Sequence, residues 1–296
     1  MLFVRIGFMH KSRLTAPTFI NGFNNQYYAD VDKGWLSLKS MWGGSAVYTL
    51  GNGRVHVDDN HYLILNDQQP YLIHIEGEEA VESFCIFFPA QWAGDVLRNF
   101  ILPDDQLLEE SGGETAVTFY DILHRHDQLV TPILQSLRQA RQQSNVDENW
   151  QTETLHHLLA AMLQVQRQVH QEAAKLPAAR TTTRKELYRR LHIGRDFMRD
   201  NLHESLSLEG IAQAAALSPY HFLRSFKQLF GQTPHIYLTE QRLKRAKRLL
   251  AYTDRPITDI CLDVGFQSLG SFSALFQKVN GRSPSQFRQE VSQPGT

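Results

Sequence analysis

Cysteine is nearly absent from this 296-residue chain: Cys85 and Cys261 are the only two, far apart and each inside an apolar run. That excludes a disulfide framework and any Cys-x-x-Cys metal or redox motif, and leaves two buried free thiols in a reducing cytoplasm as the expectation. No stretch approaches the ~18 apolar residues of a membrane span, so a membrane partner is not expected. The opening MLFVRIGFMHKSR lacks a sustained apolar core and a small-residue cleavage site, so it does not read as a secretory leader. A Gly-rich phosphate loop and a nucleophile elbow are missing too, which removes the commonest enzyme signatures.

What is present is unevenly spread. Net charge is only −1, yet residues 1–180 hold 13 Lys+Arg against 21 Asp+Glu, while residues 181–296 hold 17 against 10. An acidic part followed by a basic part suggests that the second meets a polyanion. Length alone favours two domains. Up to about residue 100, short runs such as GWLSLKSMW, SAVYTLGNGRVHVDDNHYLILN, PYLIHIEG and VESFCIFFP are broken by Asn52-Gly53, Asp59-Asn60 and Pro. This spacing predicts a β sandwich or small barrel. From about Val117 the period predicts a helix, with Phe119, Ile122, Leu123, Val130, Ile133, Leu134 and Leu137 on one face. A second helix, roughly Glu148 to Ala173, carries Leu155, Leu158, Leu159, Met162 and Leu163 on a near-heptad stripe. That stripe could pack within its own domain or pair two subunits. The aperiodic KLPAARTTTRK then reads as a linker, which gives expected domains at 1–174 and 185–296 with a linker at 175–184.

The second part contains a repeat. FLRSFKQLFGQTPHIY (Phe222–Tyr237) and FSALFQKVNGRSPSQF (Phe272–Phe287) share two Phe residues four apart, a Gly, a Thr/Ser-Pro pair and a closing aromatic at matched spacing. Each copy predicts a helix stopped by a left-handed Gly, followed by a capped helix with Pro in its first turn. Ser218 and Ser268 are the expected N-caps of the repeated helices. Before each lies a shorter helix and a tight turn, IAQAAAL and ICLDVGF, so each unit reads as a helix-turn-helix. Two units are too few for a helical solenoid.

Helical projection puts Phe222, Phe226, Leu229 and Phe230 on the core face of the first repeated helix. Opposite them stand Tyr220, His221, Arg224, Lys227 and Gln228. Arg can bond two acceptors of guanine, Tyr and His combine flat contact with hydrogen bonds, and Lys neutralises phosphate. The second helix turns Gly270, Ser271, Ala274, Gln277 and Lys278 outward, a smaller and less charged set. The first unit is therefore expected to read most of the sequence and the second to position the domain. Between them QRLKRAKRLLAYT keeps Leu243, Ala246 and Leu250 inward and a basic run outward. Phosphate contacts are expected from Lys227, Gln228, Arg242, Arg245, Arg255, Gln267, Gln277, Lys278 and Arg282.

These residues carry a resemblance. SLEGIAQAAALSPYHFLRSFKQLFGQTPHIYLTEQRLKRAKRLL and PITDICLDVGFQSLGSFSALFQKVNGRSPSQFR resemble the DNA-binding domain of the AraC/XylS family of bacterial transcription regulators. Position by position, the resemblance implies base contacts from Ser218, Tyr220, His221 and Arg224, and from Ser268, Leu269, Gly270, Ser271 and Ala274. Gly270 and Ala274 depart from the longer polar side chains of many relatives. The strand-rich first part with its helices is similar, in order and length, to the family's cupin-like effector-binding and dimerisation domain. The fold class implied is α+β: a cupin-like barrel with two following helices, then an all-α domain of two helix-turn-helix units on a linking helix. Implied partners are promoter DNA, a small-molecule effector, RNA polymerase and a second copy of the chain.

For the effector, Trp35, Trp42, Tyr48, His61 and Tyr62 could line a barrel pocket or simply be core. A metal cupin needs clustered His and a carboxylate on facing strands. His56, His61 and His74 lie in the right region without a His-x-His and following Glu, while His124 and His126 fall on the predicted helix, where a spacing of two points the rings apart. No metal, cofactor or catalytic residue is expected. The alternatives are a constitutive DNA-binding regulator whose barrel only dimerises, and a cupin enzyme fused to a DNA-binding module.

Overall fold

A computed structural model describes residues 14–51, 53–101, 117–141, 146–177 and 180–292. Asn52 of the expected Asn-Gly turn and the opening MLFVRIGFMHKSR up to Arg13 lie outside them. The chain forms two compact units, one reaching to Arg189 and one starting at Arg190.

The first unit is a seven-stranded antiparallel sheet with helices. Its strands are β1 (Thr18–Val31), β2 (Ser37–Trp42), β3 (Ser45–Leu50), β4 (Gly53–Asp58), β5 (His61–Leu65), β6 (Tyr71–Phe87) and β7 (Leu123–Arg125). They run in the order β4-β3-β6-β2-β5-β7, with β1 on β6 as well. The ends of this path curl together, since β4 approaches β5 and β7, so the sheet nearly closes into a barrel. β6 holds it together: Val81–Phe87 and Tyr71–Glu76 pair with β1, Glu82–Phe87 with β2 and Leu72–His74 with β3. Met41, Tyr48, Val57, Leu63, Leu65 and Ile75 fill the interior. Among the described residues, α1 (Ala90–Ile101), α2 (Thr131–Arg141) and α3 (Glu148–Ala174) follow or interrupt the strands. Asp147 caps α3 by accepting from the Asn149 amide at 3.0 Å.

Two expectations need correction here. Residues 117–125 are not helical: β7 sits among them, its Leu123–Arg125 paired with His61–Leu63. Three residues with apolar neighbours carry no period of their own, so the hydrogen-bonding edge of β5 decides their state. α3 is helical as expected, but Leu155, Leu158, Leu159, Met162 and Leu163 are all buried within the unit. Within the unit α3 packs on α1 and α2, and the stripe is covered there.

The second unit takes in the end of α4 (Thr181–Asp200), a helix that starts inside the segment read as linker. There follow α5 (Leu208–Ala214), α6 (Pro219–Phe230), α7 (Pro234–Tyr252), α8 (Ile257–Asp263), α9 (Leu269–Asn280) and α10 (Pro284–Ser292). The caps are the ones the repeat predicts. Ser218 accepts from the His221 amide, Thr233 from Ile236 and Ser268 from Ser271, while Gly231 and Gly281 end their helices at φ of 73° and 75°.

Candidate nucleic-acid interface

Each helix-turn-helix is built on an aromatic anchor. Phe222 and Phe226 of α6 are fully buried, their rings 5.3 Å apart, and Phe226 packs tilted on Phe230 and edge-to-face with Tyr237. Gly194 of α4 makes room, because a Cβ there would sit 2.5 Å from the Phe222 ring. In the second unit Phe272 and Phe276 of α9 pack with Leu243, Ala246, Leu250, Ile260, Cys261 and Val264. α7 thus lends its apolar edge to the α8–α9 pair, and its 19 residues span about 28 Å at 1.5 Å each.

Burying one face fixes the opposite one outward. Ser218, Tyr220, His221 and Arg224 are exposed, Tyr220 by 74%, and Arg224 has no intramolecular hydrogen bond or ion pair among the described residues. Ser268, Leu269, Gly270, Ser271 and Ala274 are exposed on α9, with Ser271 also held by the Ser268 hydroxyl at 2.9 Å. The α6 face is aromatic and cationic; the α9 face is small and neutral.

Of the expected phosphate contacts, Lys227, Gln228, Gln267, Gln277 and Lys278 are exposed beside those faces. Arg245 and Arg255 share Asp263 at 3.8 and 3.3 Å, and Arg282 pairs with Glu290. Such exposed pairs are weak enough to exchange for phosphate. Arg242 is a correction. Its guanidinium donates to the Leu202 carbonyl at 2.9 Å and the Glu204 carbonyl at 2.6 Å and lies over the Phe266 ring; burial lowers its pKa. It is a clamp inside the fold, and projection of α7 alone could not reveal carbonyls forty residues away.

The barrel holds a cavity of about 120 Å³ between β1, β2, β3 and β6. Trp35 and Tyr48 line it; Trp42, His61 and Tyr62 do not. Instead Trp42 stacks on His126 at 5.4 Å, Tyr62 stacks on His124 at 5.2 Å, and His61 Nδ1 meets Asp58 at 2.5 Å. The Tyr62 hydroxyl donates to Asp127 at 2.6 Å, and Asp127 also accepts from the Leu129 and Val130 amides. These rings form a wall. Because His124 lies in β7 and His126 directly follows it, neither is helical, and a spacing of two sets both rings on this wall. The lining residues that sequence reading missed include Lys39, Tyr71, Phe87 and Tyr27. A lysine in the middle of the apolar run LSLKSMW was the available signal.

Comparison with known proteins fits this division. The AraC-like ligand binding domain matches residues 18–160, and a helix-turn-helix domain matches residues 211–290. A solved AraC-type DNA-binding transcriptional regulator from Chromobacterium violaceum is 35% identical over 36% of this chain and 95% of its own, with a TM-score of 0.34. The chain belongs to the AraC family. Among curated relatives, the MmsAB operon regulatory protein of Pseudomonas aeruginosa is 37% identical over 97 residues. The transcriptional activator RhaS of Escherichia fergusonii is 39% identical over 93. The match covers about a third of each chain: 33% of this one and 32% of the first, 31% and 34% for the second. The AraC-family architecture read from the sequence, a barrel with helices and then a helix-turn-helix domain, is the one observed.

Proposed function

We propose that this chain is a sequence-specific regulator of transcription that binds promoter DNA through α6 and α9 and changes its activity when a small molecule enters the barrel. One observation carries the reading: a capped, Phe-anchored helix whose outward face offers Tyr220, His221 and Arg224 to solvent, repeated once along the chain with α7 between the copies. Arg224, close to the start of α6, suits a guanine in the major groove, and Tyr220 and His221 its neighbours. Lys227, Lys278, Arg245 and Arg255 would hold the backbone on either side.

Because α9 offers Ser271, Leu269, Gly270 and Ala274, it contributes contact with little discrimination, and α6 sets most of the preference. The barrel works as a sensor rather than a catalyst. An effector acts by binding one arrangement of the chain better than another, since equal affinity for both moves nothing. RNA polymerase and a second copy of the chain complete the reading, along with a cytoplasmic setting. With the α3 stripe covered, pairing would draw on other faces.

The test is a gel-shift selection from randomised duplex, repeated with Arg224→Ala. The expected loss is about 1–3 kcal/mol with preference relaxed at one base pair. Unchanged affinity together with unchanged preference would remove α6 as the reading helix.

A further inference from the structure

Lys39 is 2% exposed, in the centre of β2, opposite Cys85 of β6 in the strand register. Its ammonium sits 3.8 Å from the centre of the Phe87 ring and 5.2 Å from that of Tyr71, and reaches the Tyr71 hydroxyl at 3.4 Å. Among the described residues these are its ring and hydrogen-bond partners, the Cys85 thiol also feels its charge, and none of them is a carboxylate. The described residues around the cavity include no Asp or Glu. Cys85 does not supply the missing charge, because burial pushes its thiol up, and burial likewise raises the Tyr48 and Tyr27 phenols. A buried cation held only by ring faces and one long hydroxyl contact is a group awaiting an anion.

The remaining walls define the rest of the ligand. Trp35 stands edge-on to Phe87 at 6.0 Å, and Tyr48 lies 5.8 Å from Tyr71. The volume of about 120 Å³ is near the ~150 Å³ in which a protein interior accepts benzene. From this geometry we infer that the barrel takes a compact organic carboxylate, its acid group on Lys39 and the Tyr71 hydroxyl and its ring or short chain against Trp35, Phe87 and Tyr48. This rests on the sensor reading of the barrel given above and names the chemical class of the signal.

The test uses the full chain and paired probes: benzoate, cyclohexanecarboxylate and hexanoate, each against its primary amide. Thermal unfolding and titration calorimetry follow binding, since a ligand of the folded state raises its stability. At least one acid is expected to raise the unfolding temperature with dose, its amide needing concentrations at least tenfold higher. Lys39→Met should weaken the acid tenfold or more and leave the amide where it was, while Lys39→Arg keeps the preference for the acid. Circular dichroism without ligand checks that each variant folds, and the acid–amide comparison on the parent chain stands without them. The inference is overturned if no acid stabilises the chain at up to about 10 mM, if amides bind as well, or if Lys39→Met keeps the acid preference. A parallel gel shift separates the two claims. An acid that binds through Lys39 yet leaves DNA affinity and transcription unchanged ends the sensor reading and leaves the ligand class intact.

Discussion

At the residue scale, the two helix-turn-helix units differ in their turns. Gly265 has a φ of +92°, and a Cβ there would stand 2.2 Å from the Leu202 carbonyl oxygen and 2.8 Å from the Arg242 guanidinium. The corresponding turn of the first unit places Ala216, which has a side chain, at +51°. Gly265→Ala must therefore expel the Arg242 clamp as well as strain the backbone, and a loss of about 2–4 kcal/mol is expected in denaturant unfolding. Ala216→Gly should fall within about 1 kcal/mol of neutral, because relief of the left-handed strain offsets the greater freedom of glycine in the unfolded chain. Arg242→Ala leaves two carbonyls without their donors and is expected to cost about 1–3 kcal/mol of stability. If Arg242 served DNA instead, the variant would unfold normally and bind with a weaker salt dependence.

Among the elements, α7 divides its labour between faces. Leu243, Ala246 and Leu250 are buried, while Lys244, Lys247 and Arg248 are exposed. Replacing Lys247 by Gln should weaken all DNA sequences alike and, for a residue that meets phosphate, lower the slope of log affinity against log salt by about 1. A slope identical to the parent's in salt-series binding would place Lys247 away from the backbone. The same contrast explains what the sequence disclosed. Helix stops and starts at Gly231, Thr233-Pro234, Gly281 and Ser283-Pro284 are local chemistry, so the repeat was readable with its boundaries. β7 was not, since Leu123–Arg125 is a strand only because His61–Leu63 offers a ladder. β1, with its bulge between Asn24 and Gln26, is likewise defined by its partner β6. On the candidate interface the outward faces followed from period alone. Arg242 and the lining of the cavity did not, because both depend on which distant strands or carbonyls arrive beside a side chain.

For the molecule as a whole, titration offers a readout of the barrel. His126 is held below its usual 6.5 by burial, then by His61, against the opposing pull of Asp127, Asp58 and Asp59. His170 is lowered by burial and by Lys185. A histidine lowered in the folded state binds fewer protons there than when unfolded. The stability tied to its neutral form is therefore complete above 6.5 and drains away as pH falls from there through the folded value. Melting temperature should hold steady from pH 8 to about 7 and decline below about 6.5, ahead of carboxylate protonation. His126→Phe keeps a ring against Trp42 and should flatten that decline, and an unaltered profile would assign the acid sensitivity elsewhere.

β6 is buried throughout Val81–Phe87, while Glu76–Ala80 in its middle are exposed. Neighbours bond to it along both flanks, and Tyr71, Ile73, Ser83, Cys85 and Phe87 on it also border the cavity. The amides of Glu82–Phe87 are thus expected to be the last in the barrel to trade hydrogen for deuterium, opening only when the whole unit does. Whatever occupies the space beside Lys39 would then register as slower exchange along this spine, so that a mass spectrometer could see occupancy without DNA being present at all.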